Sequence, residues 1–130
     1  RENCIFHGFL NHEKVLDLTK SCDFVFAHYC PSRVINIYAA PNKLAESLAI
    51  GRPVIINSET FVSKLVAIKD AGVVTKYDDV HSLYEKIISL SSDYECYKKC
   101  CSNARRLFEE DYSWGNVKLK IKEVFQKVDY

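Results

Sequence analysis

The sequence predicts an α/β fold, a Rossmann-like parallel sheet with helices on both faces. Three observations lead there. Short apolar runs such as 23–28 and 53–56 show no polar alternation and read as strands buried on both sides. Between them lie stretches of helical period that open on Asn, Asp or Ser or close on Gly. The two kinds alternate, which implies βαβ units wound into a parallel sheet.

In chain order, a short strand over Cys4–His7 leads into Gly8 and a helix over Asn11–Ser21, with Asn11 as N-cap. Asp23–His28 is a buried strand, and Tyr29–Ala40 is a long irregular segment. A short helix then begins at Pro41, whose missing N–H would have no partner in a first turn. Gly51 supplies the left-handed residue that ends it, and Pro53 prevents a restart. Pro53–Ile56 is the next strand; Thr60–Ala71 is helical and closed by Gly72; Val73–Thr75 is a further strand. Asp78 or Asp79 caps a helix carrying Leu83, Ile87, Ile88 and Leu90, and Ser92–Glu110 continues as a helix with Cys96, Cys100, Ala104 and Phe108. Ser113 caps a last helix whose inner face is Val117, Ile121, Val124 and Phe125. No internal repeat or low-complexity segment interrupts this order, and residues 1–130 read as one domain.

The hydrophobic fraction of 48% is that of a soluble globular protein, and a net charge of +1 gives no electrostatic reason to bind nucleic acid. No apolar run is long enough to span a bilayer, and no signal peptide opens the chain. The sequence starts at Arg1, not Met, which suggests an excised fragment. Cys4, Cys22, Cys30, Cys96, Cys100 and Cys101 form neither a C-x-x-C pair nor a zinc spacing. All six read as reduced, structural cysteines of a cytosolic protein.

The stretch 40–56 concentrates the chemistry. At about 100° per residue, Leu44, Ala45 and Leu48 share an apolar face while Asn42, Lys43 and Glu46 gather on a polar one. One helix start therefore presents free N–H groups, an ammonium and a carboxylate, which suits a phosphate together with a sugar hydroxyl. Parallel sheets bind ligands beyond the carboxyl ends of their strands, so the loops after His7, His28, Ile56 and Thr75 line the predicted site. Glu46 reads as a carboxylate accepting from the two hydroxyls of a nucleotide ribose; its alternative is a solvated helix residue paired with Lys43. Lys43 reads equally well as a solvated lysine. Gly8 lets a ligand approach its backbone or makes a simple turn. His7, Phe9 and His28 stand near strand ends, and Arg33 lies in the long loop; each has an ordinary packing or solvated reading beside the binding one. No catalytic Ser/His/Asp set, metal cluster or Walker-type loop is present, and the chain holds half a site at most.

Pro41-Asn42-Lys43-Leu44-Ala45-Glu46 followed by Leu48-Ala49-Ile50-Gly51-Arg52-Pro53-Val54-Ile55 resembles the donor-binding core of GT-B glycosyltransferases, family 4 above all. Phe6-His7-Gly8-Phe9 and Ser21-Cys22-Asp23-Phe24-Val25-Phe26 resemble the family's strand-Gly-loop and the strand after it. Asn103-Ala104-Arg105 through Tyr112-Ser113-Trp114 resembles the segment before its last helix. The three stretches keep the family's order.

The resemblance implies the C-terminal, nucleotide-sugar-binding domain of a retaining hexosyltransferase acting on a glycan or lipid-linked acceptor, with a role in surface polysaccharide synthesis. It implies that Glu46 binds the ribose, that Pro41, Asn42, Lys43 and Leu44 form the segment facing the diphosphate and sugar, and that Gly8 and Phe9 lie near the diphosphate or base. Eight positions before Glu46, where the family often has a sugar-contacting glutamate, stands Tyr38, so contacts to the sugar hydroxyls differ here. The acceptor domain and the first βαβ portion of the donor domain have no counterpart in the chain, which by itself should bind donor weakly and transfer nothing. No metal or cofactor is expected, the donor being the nucleotide diphosphate sugar itself. A cytoplasmic location follows, at the inner face of a membrane if the acceptor is lipid-linked. An epimerase of the same fold, or a non-catalytic α/β interaction domain, are the alternatives.

Overall fold

The structure, a computed structural model, describes residues 3–126. Its centre is a three-stranded parallel sheet, β1 (Val25–Ala27), β2 (Val54–Asn57) and β3 (Gly72–Thr75), in the order β1-β2-β3. Register pairs Val25 with Val54 and Val54 with Gly72. The central strand β2 is buried at every position, which explains its unbroken apolar run.

Helices cover both faces, as the alternation of elements predicts. On one face, Leu44 and Leu48 of α3 (Asn42–Ile50), Val66 of α4 (Ser63–Ile68), and Ala104 and Leu107 of α6 (Tyr94–Leu107) close on Ala27, Val54 and Ile56. On the other, α5 (Val80–Ser92) lies against β3, and its Leu83 lines a cavity together with Phe26. The predicted α1 (His12–Ser21) is present with Asn11 as N-cap, its side chain accepting from Lys14 N at 3.0 Å. Gly51 ends α3 at φ 74°, the left-handed conformation that a Cβ would strain. Two arginines tie helix ends to this layer: Arg52 donates to the Lys20 carbonyl at 2.7 Å, and Arg105 donates to the Ala49 carbonyl. Both cations meet carbonyls in the last turn of a helix, the end its dipole makes negative.

Several expectations are corrected. Cys4–His7 is not a strand; Ile5 and Phe6 are exposed, and neither edge of the sheet pairs with this segment, which leaves an extended stretch without a ladder. Within the supposed irregular segment, Val34–Tyr38 forms a short helix, α2. Pro41 is the N-cap of α3, one residue earlier than a first-turn proline. The helix expected over Thr60–Ala71 shrinks to Ser63–Ile68 because hydroxyls compete for the backbone: Thr60 Oγ1 donates to the Asn57 carbonyl and Ser63 Oγ to the Ser58 and Thr60 carbonyls. Gly72 does not close that helix; it opens β3, and the chain reverses at Asp70, φ 49°. Asp93 ends α5 and caps α6 at once, so the boundary falls between two helices, and Phe108–Tyr112 winds as a π-helical turn.

The last helix, α7 (Trp114–Gln126), lacks the inner face expected of it: Ile121, Val124 and Phe125 are exposed. Ser113 stands before it, accepting Val117 N on its carbonyl, but its hydroxyl turns back to donate to the Glu109 carbonyl. The six cysteines are all unpaired. Burial pushes the Cys100 thiol up to about 12, consistent with a structural role, whereas Cys4, Cys30 and Cys96 are exposed and pack nothing.

Gly72 and Gly51 make different demands. A Cβ on Gly72 would lie 2.1 Å from the Val54 carbonyl oxygen across the β2–β3 ladder, while one on Gly51 meets only ordinary contacts. Gly72→Ala is expected to cost about 3 kcal/mol and Gly51→Ala about 1 kcal/mol, read from urea unfolding midpoints. Equal costs would show that β3 can move away from β2.

Candidate functional site

The carboxyl ends of the three strands are joined by one buried side chain. Asn57, the last residue of β2, is fully buried. Its Oδ1 accepts from Tyr29 N, after β1, at 2.8 Å, and its Nδ2 donates to Glu59 Oε2 at 3.0 Å. Glu59 in turn accepts from Tyr77 N, after β3, with both oxygens at 3.1 Å. A buried amide must find partners for its donor and acceptor; here they lie in the loops after β1 and β2, and Glu59 carries the link on to the loop after β3. Burial opposes ionisation of Glu59, but the bonds from Asn57, Tyr77 and Ser58 together hold its carboxyl below the usual range. His28, stacked on Phe26 and 3.4 Å from Thr75 Oγ1, is lowered by burial against the opposing charge of Glu59.

Beside this knot stands the start of α3. The other helices with assigned side-chain caps satisfy their first turns through Asn11, Asp79 and Asp93, whereas Pro41 offers no side-chain acceptor to α3. Lys43 extends over the ring of Tyr29, its Nζ 5.7 Å from the centroid. Glu46 is half-buried, its side chain 29% exposed, and Oε1 lies 3.8 Å from Nδ1 of His12 at the start of α1. The α1–α3 contact thus sets the Glu46 carboxylate, one turn inside α3, beside the first residue of α1.

The other predicted residues are placed as follows. Asn42 is exposed on the first turn of α3. The Leu44 side chain is in the core and its N–H donates to the Pro41 carbonyl at 3.0 Å. Gly8, at φ 66°, has open space around it, and Phe9 is fully exposed. Tyr38, at the end of α2, is 70% exposed. The structure pairs Glu46 with His12 and, separately, Lys43 with Tyr29, two partners outside the predicted set; it leaves Phe9 and Tyr38 in solvent. The signal for Asn57 was a polar residue closing an otherwise apolar strand, Val54-Ile55-Ile56-Asn57. Nothing in the spacing of His12 or Tyr29 pointed to Glu46 or Lys43.

A cavity of about 470 Å³ lies elsewhere, against β3, α5 and the start of α6. Two of its polar side chains already have partners: Lys86 donates to the Val74 carbonyl and Asp93 caps α6. The strand ends, not this cavity, hold the convergent chemistry. Among the described residues, no three His, Cys, Asp or Glu side chains are grouped to hold a metal ion, and no helix is long and apolar enough to cross a membrane.

A three-stranded parallel sheet flanked by helices, its strands joined through helical crossovers, defines a Rossmann-like α/β domain. A family model described as glycosyl transferases group 1 matches residues 1–107. The chain belongs to that family, and of the activities its sequence left open, membership supports glycosyl transfer between a sugar donor and an acceptor. No curated protein matches the chain in a sequence search.

Two tests follow from the knot at the strand ends. Asn57→Ala strands the Tyr29 N–H and takes one of two donors from Glu59 Oε2, and is expected to cost about 2 kcal/mol in chemical denaturation. Glu59 has a depressed pKa, so its contribution is present above the ordinary value of 4.5 and is lost as pH falls through the lower folded value. Urea midpoints should therefore fall as pH drops through that window, and fall less in Glu59→Gln.

Proposed function

We propose that this chain is the nucleotide-sugar-binding part of a retaining, family 4-like glycosyltransferase. It would hold the donor while a hexosyl group passes to a glycan or lipid-linked acceptor, in surface polysaccharide synthesis. The observation that carries this reading is the position of Glu46: half-buried against His12 of α1, one turn after Lys43 on a helix that opens at Pro41 without a side-chain cap.

The chemistry follows from these groups. The ribose of a nucleoside diphosphate has two hydroxyls that donate to one carboxylate, and Glu46 is an acceptor with both oxygens available to a diol. The first-turn N–H groups of α3 and the Lys43 ammonium meet the diphosphate. In transfer, the bond from the sugar's anomeric carbon to the diphosphate breaks, and negative charge grows on the leaving phosphate oxygen. A fixed helix start and an ammonium at that oxygen lower the barrier by stabilising charge where it develops. The acceptor side of the reaction belongs to parts of a longer protein, and this chain alone is proposed to bind donor weakly and to transfer nothing. The proposed location is the cytoplasm, where nucleotide sugars would be met, at a membrane's inner face when the acceptor is lipid-linked.

Titration of UDP, GDP and ADP into the full-length protein, by calorimetry, tests the reading. One of them is expected to bind, and Glu46→Ala to weaken it by about 1–3 kcal/mol, the worth of a charged hydrogen bond. Unchanged affinity in that variant removes Glu46 from the site.

A further inference from the structure

We infer that Tyr29 is a positioning residue of the donor site: its ring presets the Lys43 ammonium to meet the diphosphate. This deepens the reading of the site given above and rests on it. A lysine in the first turn of a helix stands at the positive end of the dipole, where a cation is mildly unfavourable. Lys43 nonetheless has no carboxylate partner among the described residues. What it has is a face of Tyr29, within the distance of about 6 Å at which a ring quadrupole attracts a cation.

That ring does not come to Lys43 by chance of a loose loop. Tyr29 packs against the core, and its backbone N–H is held at 2.8 Å by the buried Asn57 amide. The attraction to a ring leaves the ammonium's N–H donors unspent, unlike a salt bridge, which would occupy them. A cation held this way has lost part of its rotamer freedom before ligand arrives, so less is lost on binding an anion. Tyr29 thus acts through Lys43, on the diphosphate, and not on base or ribose.

A double-mutant cycle in the full-length protein reads this out, with the diphosphate among UDP, GDP and ADP that binds tightest as the probe. Tyr29→Leu is expected to weaken it about fivefold, as loss of an exposed cation–ring contact does, and Tyr29→Phe to restore it. In the Lys43→Ala background, Tyr29→Leu should have no further effect. An equal loss in both backgrounds, or no loss in either, overturns the inference. If the leucine variant does not fold, phenylalanines of increasing fluorination at position 29 replace it. Affinity should then fall along the series, and a flat series overturns the inference. A parallel Glu46→Ala arm separates the two claims. Intact binding there, with Tyr29 and Lys43 still coupled, removes Glu46 from the site and leaves Tyr29 in it. Binding of none of the three diphosphates overturns both.

Discussion

One buried amide organises the functional end of this domain. Asn57 closes an apolar strand with a side chain that water cannot reach, and burial without partners would cost a few kcal/mol at most sites of this kind. The partners it takes are a backbone N–H from the loop after β1 and a carboxylate from the loop after β2, which itself receives the loop after β3. Three loops that would otherwise drift independently are therefore set by one residue of the central strand. Everything placed on those loops, Tyr29 first, inherits that order.

The start of α3 gains its character from an omission. Where Asn11, Asp79 and Asp93 supply side-chain oxygens to first-turn N–H groups, Pro41 supplies only its carbonyl, to Leu44 N. A helix in that state favours an anion near its start. Glu46 stands a turn inside, near His12, and its charge does not cancel that preference at the first turn. In the reading proposed above, a ligand with a phosphate at one end and a diol at the other would meet these two features.

Much of the fold was legible because it rests on local rules. The Asn11 cap, the left-handed Gly51 and the apolar centres of β1, β2 and β3 each follow from residues within a few positions of one another. The failures share a cause as well. Among the described residues, Cys4–His7 has the pattern of a strand but no neighbour to pair with, and the apolar face of α7 is exposed at Ile121, Val124 and Phe125. A strand or a buried stripe is a statement about a partner, and pattern alone does not say whether the partner is there. Thr60 and Ser63 shortened a helix through hydroxyl bonds that hydropathy does not register.

By itself the sequence determined the α/β class, the helix that carries Lys43 and Glu46, and the glycine that ends it, since periodicity, capping and backbone preference act over single turns. Only the tertiary structure decided that Glu46 faces His12, that Lys43 rides on Tyr29, and that Asn57 ties the strand ends together. Those contacts join residues from separate elements, and their distances are set by how the sheet and its helices pack, which no local pattern encodes.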